Sequence, residues 1–222
     1  MDVKKINPCT IPATKVDFVG DNRWRNMHER YVAEAGTSEI DVVFIGDSII
    51  QQLQFTQLWI EKINSLHCLN FGIGGDRVEH LLWRILNGEL NFGYPPKIVV
   101  LSVGTNNVDC TAQEVFDGIC KIIQVLTEKL GNVDVVLPTL LPRGQHPNAN
   151  RERNALINEM FLNNFDSKPN VYVVPIHDGI VQKDETISHY VMHDYLHLTN
   201  EAYNKVFMPV YEKVRSLLNK TG

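Results

Sequence analysis

The stretch Asp41-Val42-Val43-Phe44-Ile45-Gly46-Asp47-Ser48 decides how this chain is read. Its apolar run is short and does not alternate with polar residues. Such a strand is buried on both faces, as in a parallel sheet covered by helices. Four further runs of the same kind follow: Leu66–Phe71, Lys97–Val103, Val133–Leu137 and Val171–Ile176. All are short and bounded by Gly, Pro or Asn. Helical periods lie between them. Val78, Leu81, Leu82, Ile85 and Leu86 share one face, as do Val115, Ile119, Ile122 and Leu126. Thr111 and Glu114 open the second of these segments as a capping box. A last period runs Ala202, Tyr203, Val206, Phe207, Val210, Val214 and Leu217. The pattern predicts a three-layer α/β domain with a doubly wound parallel sheet of about five strands.

The 222 residues make one large domain or two small ones, and no linker-like composition divides them. Residues 1–20 carry Pro8 and Pro12 and no period. They read as a surface arm, set here at 1–18, before a single domain at 19–222. The net charge of -5 (21 Lys+Arg against 26 Asp+Glu) offers no basic surplus, which disfavours nucleic acid as a partner. No apolar run approaches the ~18 residues of a transmembrane segment, and the N-terminal stretch does not read as a secretory signal. Cys9, Cys68, Cys110 and Cys120 form no Cys-x-x-Cys pair. Cys68 and Cys120 read as small core residues, and the pattern fits a reducing, cytoplasmic location.

In an open parallel sheet, ligands bind beyond the carboxyl ends of the strands. Gly46-Asp47-Ser48 follows the first strand, Gly72-Ile73-Gly74-Gly75-Asp76 the second, and Gly104-Thr105-Asn106-Asn107 the third; His193-Asp194-Tyr195-Leu196-His197 comes after the last. These four polar segments are expected to converge. Ser48 reads either as a helix N-cap or as a nucleophile exposed at a strand-to-helix turn. The Gly-x-Ser-x-Gly elbow is absent. Asp194 and His197 are spaced so that one turn of backbone brings carboxylate to imidazole; an isolated pair of this kind is also a common surface turn. Candidate oxyanion donors are the Ser48 and Gly75 backbone N–H groups and the Asn106 amide, although Gly75 and Asn106 also suit ordinary turns.

Rival readings use some of the same residues. His189, His193 and His197 are spaced by four, and His193-Asp194-x-x-His197 imitates a zinc-binding helix with Asp in place of Glu. That reading leaves Ser48, Gly75 and Asn106 unused. Gly72-x-Gly74 imitates a dinucleotide loop, with Arg77 where the third glycine belongs. A non-enzymatic scaffold would keep the fold and the residues alike. Arg143 reads as a loop arginine that either is solvated or positions a neighbouring loop, and Trp24, Trp59 and Trp83 read as packing residues.

Gly-Asp-Ser, a later Gly, Gly-x-Asn and Asp-x-x-His together form the block pattern of the SGNH (GDSL-type) hydrolases, and the chain is identified as resembling that family. Leu69–Asp76, Val103–Asn107, Leu140–Asn148, Asp194–Leu198 and Gly20–Trp24 resemble its subfamily of catalytic alpha subunits of intracellular platelet-activating factor acetylhydrolase type IB. The resemblance spans about residues 19 to 218. It implies a flavodoxin-like sheet and a cytosolic serine esterase that removes the sn-2 acetyl group of platelet-activating factor, with no metal and no cofactor. It further implies Ser48 as nucleophile, His197 as base and Asp194 as its partner. Ser48, Gly75 and Asn106 fall at the oxyanion hole, and Ile49, Thr105 and Leu196 at a small acyl pocket. The implied partners are a short-chain acyl ester or phospholipid substrate, a second alpha subunit in a homodimer or a heterodimer with a paralogue, and a β-propeller regulator of dynein. Arg77, Ser102, Val108 and His193 depart from the subfamily pattern, near the pocket and on the outer surface. Asn107 matches it.

Overall fold

A computed structural model describes residues 6–220. Five strands build one sheet: β1 (Val42–Gly46), β2 (Cys68–Gly72), β3 (Ile98–Ser102), β4 (Asp134–Pro138) and β5 (Val171–Val174). Their order is β2-β1-β3-β4-β5, and every neighbouring pair is parallel. The helices are α1 (Arg23–Thr37), α2 (Ser48–Leu53), α3 (Gln57–Glu61), α4 (Val78–Leu86), α5 (Ala112–Leu130), α6 (Ala149–Phe165), α7 (Asn200–Val206) and α8 (Met208–Leu218).

Side chains of a strand point alternately to opposite faces, so an unbroken apolar run feeds two cores. Val43, Ile45, Val99, Leu101, Val135 and Leu137 pack with α1, α4, α5 and α6. Val42, Phe44, Ile98, Val100 and Val136 pack with α2, α3, α7 and α8. Three layers result, in the doubly wound arrangement the patterning predicts. Thr111 and Glu114 form their capping box on α5: Glu114 N–H donates to Thr111 Oγ1 at 3.2 Å and Thr111 N–H to Glu114 Oε2 at 2.8 Å.

Several expectations need correction. The last helical period is two helices, because Phe207 ends α7 and Pro209 stands in the first turn of α8, where a missing N–H costs nothing. Leu86 lies at the end of α4 with 39% of its surface exposed. The buried cysteines are Cys9 and Cys110, while Cys68 and Cys120 are half-buried. Residues 1–5 of the expected arm lie outside the described residues. The rest of the arm does more than cover the surface. Pro8–Thr10 forms a 3-10 turn that drops Cys9 into the core at 0% exposure. Asn7 Nδ2 donates to Glu114 O (3.1 Å) and Asp117 Oδ2 (3.3 Å) on α5. Gly118 makes room for this seat, since a Cβ there would meet Cys9 Cβ at 2.7 Å.

The strand order places the site. From β1 the chain moves outward to β2, then crosses to β3 on the other side of β1. The connections leaving β1 and β3 run to opposite sides, and in sheets of this kind the crevice lies at the carboxyl ends of the two strands between which they part.

Candidate active site

Ser48 is the first residue of α2 and its side chain is nearly buried. It is not the N-cap. Asp47 takes that position, and its Oδ1 accepts the Ile49 N–H at 2.9 Å. With capping assigned to Asp47, the Ser48 hydroxyl is free to face the crevice. Gly46 permits the close approach that brings it there: a Cβ on Gly46 would lie 2.0 Å from Ser102 O on β3. Asp47 is fully enclosed. Burial pushes its carboxyl up to about 7, against the Ile49 N–H, which pulls the other way.

The loop between β5 and α7 brings His197 to Ser48. His197 Nε2 lies 2.8 Å from Ser48 Oγ, and Nδ1 lies 2.6 Å from Asp194 Oδ2. The other carboxylate oxygen, Oδ1, accepts the N–H groups of Leu196 (3.1 Å) and His197 (2.7 Å). Burial alone would raise Asp194, but the His197 backbone and ring N–H groups and the Leu196 N–H outweigh it and hold the carboxyl at about 2. An ionised carboxylate only accepts, so Nδ1 carries the proton and Nε2 is left to accept from the Ser48 hydroxyl. Tyr195 turns the loop with φ of 61°, and its carbonyl accepts the Gly144 N–H at 2.7 Å. The arrangement can pass a proton from Ser48 to His197 as Oγ attacks an electrophile.

The zinc reading meets this geometry directly. His193, Asp194 and His197 hold donor atoms within 4.8 Å of one another, and His189 is not part of that group. Both ring nitrogens of His197 are already engaged, one by Asp194 and one by Ser48. A metal there would have to break one of these bonds. The dinucleotide reading also meets a physical obstacle. Gly72 is required by packing, since a Cβ would lie 2.2 Å from the Gln51 backbone nitrogen. The N–H groups where α4 begins are occupied: Val78 N–H donates to Asn107 Oδ1 (3.0 Å), and the N–H of the cap residue Arg77 to His80 Nδ1 (3.2 Å).

The two remaining candidate donors follow β2 and β3. Gly75 follows β2 with φ of +74°, a conformation that suits glycine. Asn106 Nδ2 donates to Asp76 O at 2.9 Å, which aims the amide and leaves its second N–H free of that bond. Ile49 follows Ser48 on α2 and is nearly buried. Thr105 is buried beyond β3. Arg143 fixes that loop, donating to Thr105 O (2.7 Å) and Thr105 Oγ1 (3.3 Å), so it is a positioning arginine and not a solvated one. Leu196 lines a cavity of about 390 Å³ with Arg143 and Asp194, and neither Ile49 nor Thr105 lines it.

Sequence reading overlooked the supports beneath the site. Arg84, wholly buried on α4, donates to Asp76 Oδ2 (2.8 Å), Glu89 Oε2 (2.7 Å), Phe71 O (3.0 Å) and Gly46 O (3.1 Å). It thereby ties the carboxyl ends of β1 and β2. Trp24 is more than packing, since its Nε1–H donates to Asp76 Oδ1 at 2.7 Å. Burial raises the Asp76 carboxyl to about 6 in spite of Arg84. An arginine at position 84, inside an otherwise apolar helix face, was the available signal. Lys15 gave none: it comes from the arm, and its Nζ donates to Gly74 O at 2.7 Å.

Comparison with known proteins decides the family. The GDSL-like lipase/acylhydrolase family profile matches residues 44–205. The chain belongs to the GDSL-like lipase/acylhydrolase family. It is 44% identical to a Drosophila melanogaster platelet-activating factor acetylhydrolase IB subunit beta homolog, covering 97% of this chain and 95% of that one. It is 41% identical to the Homo sapiens platelet-activating factor acetylhydrolase IB subunit alpha2, covering 97% and 93%. Among solved structures it resembles a GDSL-like lipase from Bacteroides thetaiotaomicron, with TM-score 0.72 and 18% identity over 85% of this chain and 97% of that one. An aryl esterase from M. smegmatis gives TM-score 0.62 and 12% identity over 81% and 100%. At such identities the solved structures speak for the fold, and the curated relatives for the family. This GDSL-family chain is an ester hydrolase. No helix among its described residues is long and apolar enough to cross a membrane.

Proposed function

We propose that this GDSL-family hydrolase is a serine esterase for short-chain acyl esters, with the sn-2 acetyl ester of platelet-activating factor as its substrate type. The observation that carries the reading is the continuous path Asp194 Oδ2, His197, Ser48 Oγ, with contacts of 2.6 and 2.8 Å. Ser48 Oγ attacks the ester carbonyl carbon while its proton moves to His197 Nε2. The oxyanion is met by the Ser48 and Gly75 N–H groups and the Asn106 amide. The bond to the leaving alcohol then breaks and His197 returns the proton to that oxygen. Water attacks the acyl-Ser48, giving its proton to His197; the carboxylic acid leaves and Ser48 regains its hydroxyl. Ile49, Thr105 and Leu196 bound a small acyl pocket that favours acetyl.

The names of the curated relatives support the choice of substrate type. The same reading carries a cytoplasmic protein, an arm at 1–18 on a single domain at 19–222, a homodimer or paired paralogue, and a β-propeller partner. Fluorophosphonate labelling of the wild type and of Ser48→Ala tests the nucleophile: label on the wild type alone is expected, and equal labelling of both would refute it. A panel of platelet-activating factor, its longer-acyl analogues and acetylated sugars tests the substrate. Rates rising steadily from two-carbon to twelve-carbon acyl esters would contradict the small pocket. Light scattering on the eluted protein checks the dimer.

A further inference from the structure

Lys15 lies in the wall of a cavity of about 540 Å³ between the arm and α1, next to Gly74 and Gln51. The arm that carries it is anchored to the body before Lys15 and closes into a local turn after it. Asn7 and Cys9 are seated against α5, Ala13 N–H donates to Glu79 O (3.1 Å), and Asp17 gathers the N–H groups of Val19, Gly20 and Asn22 at 2.8–3.1 Å. Lys15 is half-buried; among the described residues no carboxylate forms a close ion pair with its ammonium, and its charge acts on the nearby buried Asp76. Its bond goes to Gly74 O, at 2.7 Å. Gly74 O belongs to the same peptide group as the Gly75 N–H.

We propose that Lys15 is a positioning residue of the oxyanion hole, whose ammonium holds and polarises the Gly74–Gly75 peptide so that the Gly75 N–H faces and binds the developing oxyanion. The inference rests on the reading of Gly75 as an oxyanion donor. Two physical arguments carry it. The first is orientation. A peptide between two glycines rotates with little steric resistance, and a flip would turn a carbonyl toward the place an N–H must occupy. A charge-assisted bond to Gly74 O penalises that flip. The second is electronic. Carbonyl and amide are two ends of one conjugated group, and a cation on the oxygen makes the N–H a stronger donor. The fit is mutual, since a Cβ on Gly75 would lie 2.7 Å from Lys15 Nζ.

The test compares Lys15→Met and Lys15→Arg with the wild type. On a short-chain nitrophenyl ester, Lys15→Met is expected to lower kcat about tenfold with KM within about twofold, because the donor matters most in the transition state. Affinity for an alkyl boronic acid, which forms a tetrahedral adduct on a serine, falls by the same factor. Lys15→Arg restores most of both. In amide NMR spectra the Gly75 proton moves upfield in Lys15→Met and returns in Lys15→Arg. Wild-type kcat in Lys15→Met, an unmoved Gly75 amide, or Lys15→Arg as slow as Lys15→Met would overturn the proposal. Failure of the esterase reading looks different: the wild type itself would resist fluorophosphonate and turn over no ester. In that case the Gly75 amide shift still decides whether Lys15 holds the peptide.

Discussion

Ser48 and Asp47 divide two tasks that the sequence leaves to one residue: Asp47 caps α2, and Ser48 presents its hydroxyl to His197. Ser48→Ala is therefore expected to abolish labelling by fluorophosphonate and to leave the melting temperature within a few degrees, as no cap is lost. A large drop in melting temperature would show that the serine holds the fold. Asp194→Asn removes the charge that orients the imidazole, so kcat should fall by ~10²–10⁴ with KM little changed. The two carboxyls also predict opposite pH dependences. Asp47 in the fold titrates at about 7 against an ordinary 3.8, so folding takes up a proton between these values. Its contribution to stability is complete below about pH 4 and is lost as pH rises through 7. Asp194, held at about 2, contributes above about pH 4 and loses its effect as pH falls toward 2. Urea melts from pH 4 to 8 should show wild-type stability falling relative to Asp47→Asn as pH rises. A difference that does not change with pH would refute the buried, protonated Asp47.

Among the elements, the strands and the helices α4, α5, α7 and α8 were legible because each shows its burial in its period, while α1 and α3 were not read. Helix α6 was not, since Asn154 and Asn158 sit on its buried face. There Asn154 Nδ2 donates to Leu141 O (2.9 Å), and Asn158 both accepts the Leu140 N–H (2.7 Å) and donates to Leu140 O (2.9 Å). Polar residues that satisfy a neighbouring loop look, in sequence, like a solvated face. Arg84 hides in the same way. Replacing it by Met would leave Asp76 and Glu89 buried without their cation, at a cost of ~3–5 kcal/mol. Equilibrium denaturation checks this, and a loss below ~1 kcal/mol would show that the buried carboxyls do not depend on Arg84. Gly72→Ala belongs with it. The added methyl would press on the α2 backbone, and such overpacking typically costs ~1–3 kcal/mol, read as a lower denaturation midpoint.

The whole molecule joins these elements through long-range contacts, and the N-terminal arm is the clearest case. Removing residues 1–12 uncovers the socket of Cys9 and breaks the Asn7 bonds to α5, which should destabilise the protein by ~2 kcal/mol. A truncated protein with wild-type stability would show that the arm adds nothing to the core. Gly118→Ala should weaken the same seat without shortening the chain. Sequence alone determined the sheet class, from apolar runs that only a doubly covered strand tolerates. It also determined the candidate residues, because Ser48, Gly75, Asn106, Asp194 and His197 each stand just past a strand or near the chain's end. Which atoms meet is set by the three-dimensional fold. That His197 Nε2 faces Ser48, that Asp47 and not Ser48 is the cap, and that Lys15 reaches Gly74 are consequences of side chains distant in sequence sharing one crevice. Periodicity reports burial along a single element and carries no record of the partner across the gap.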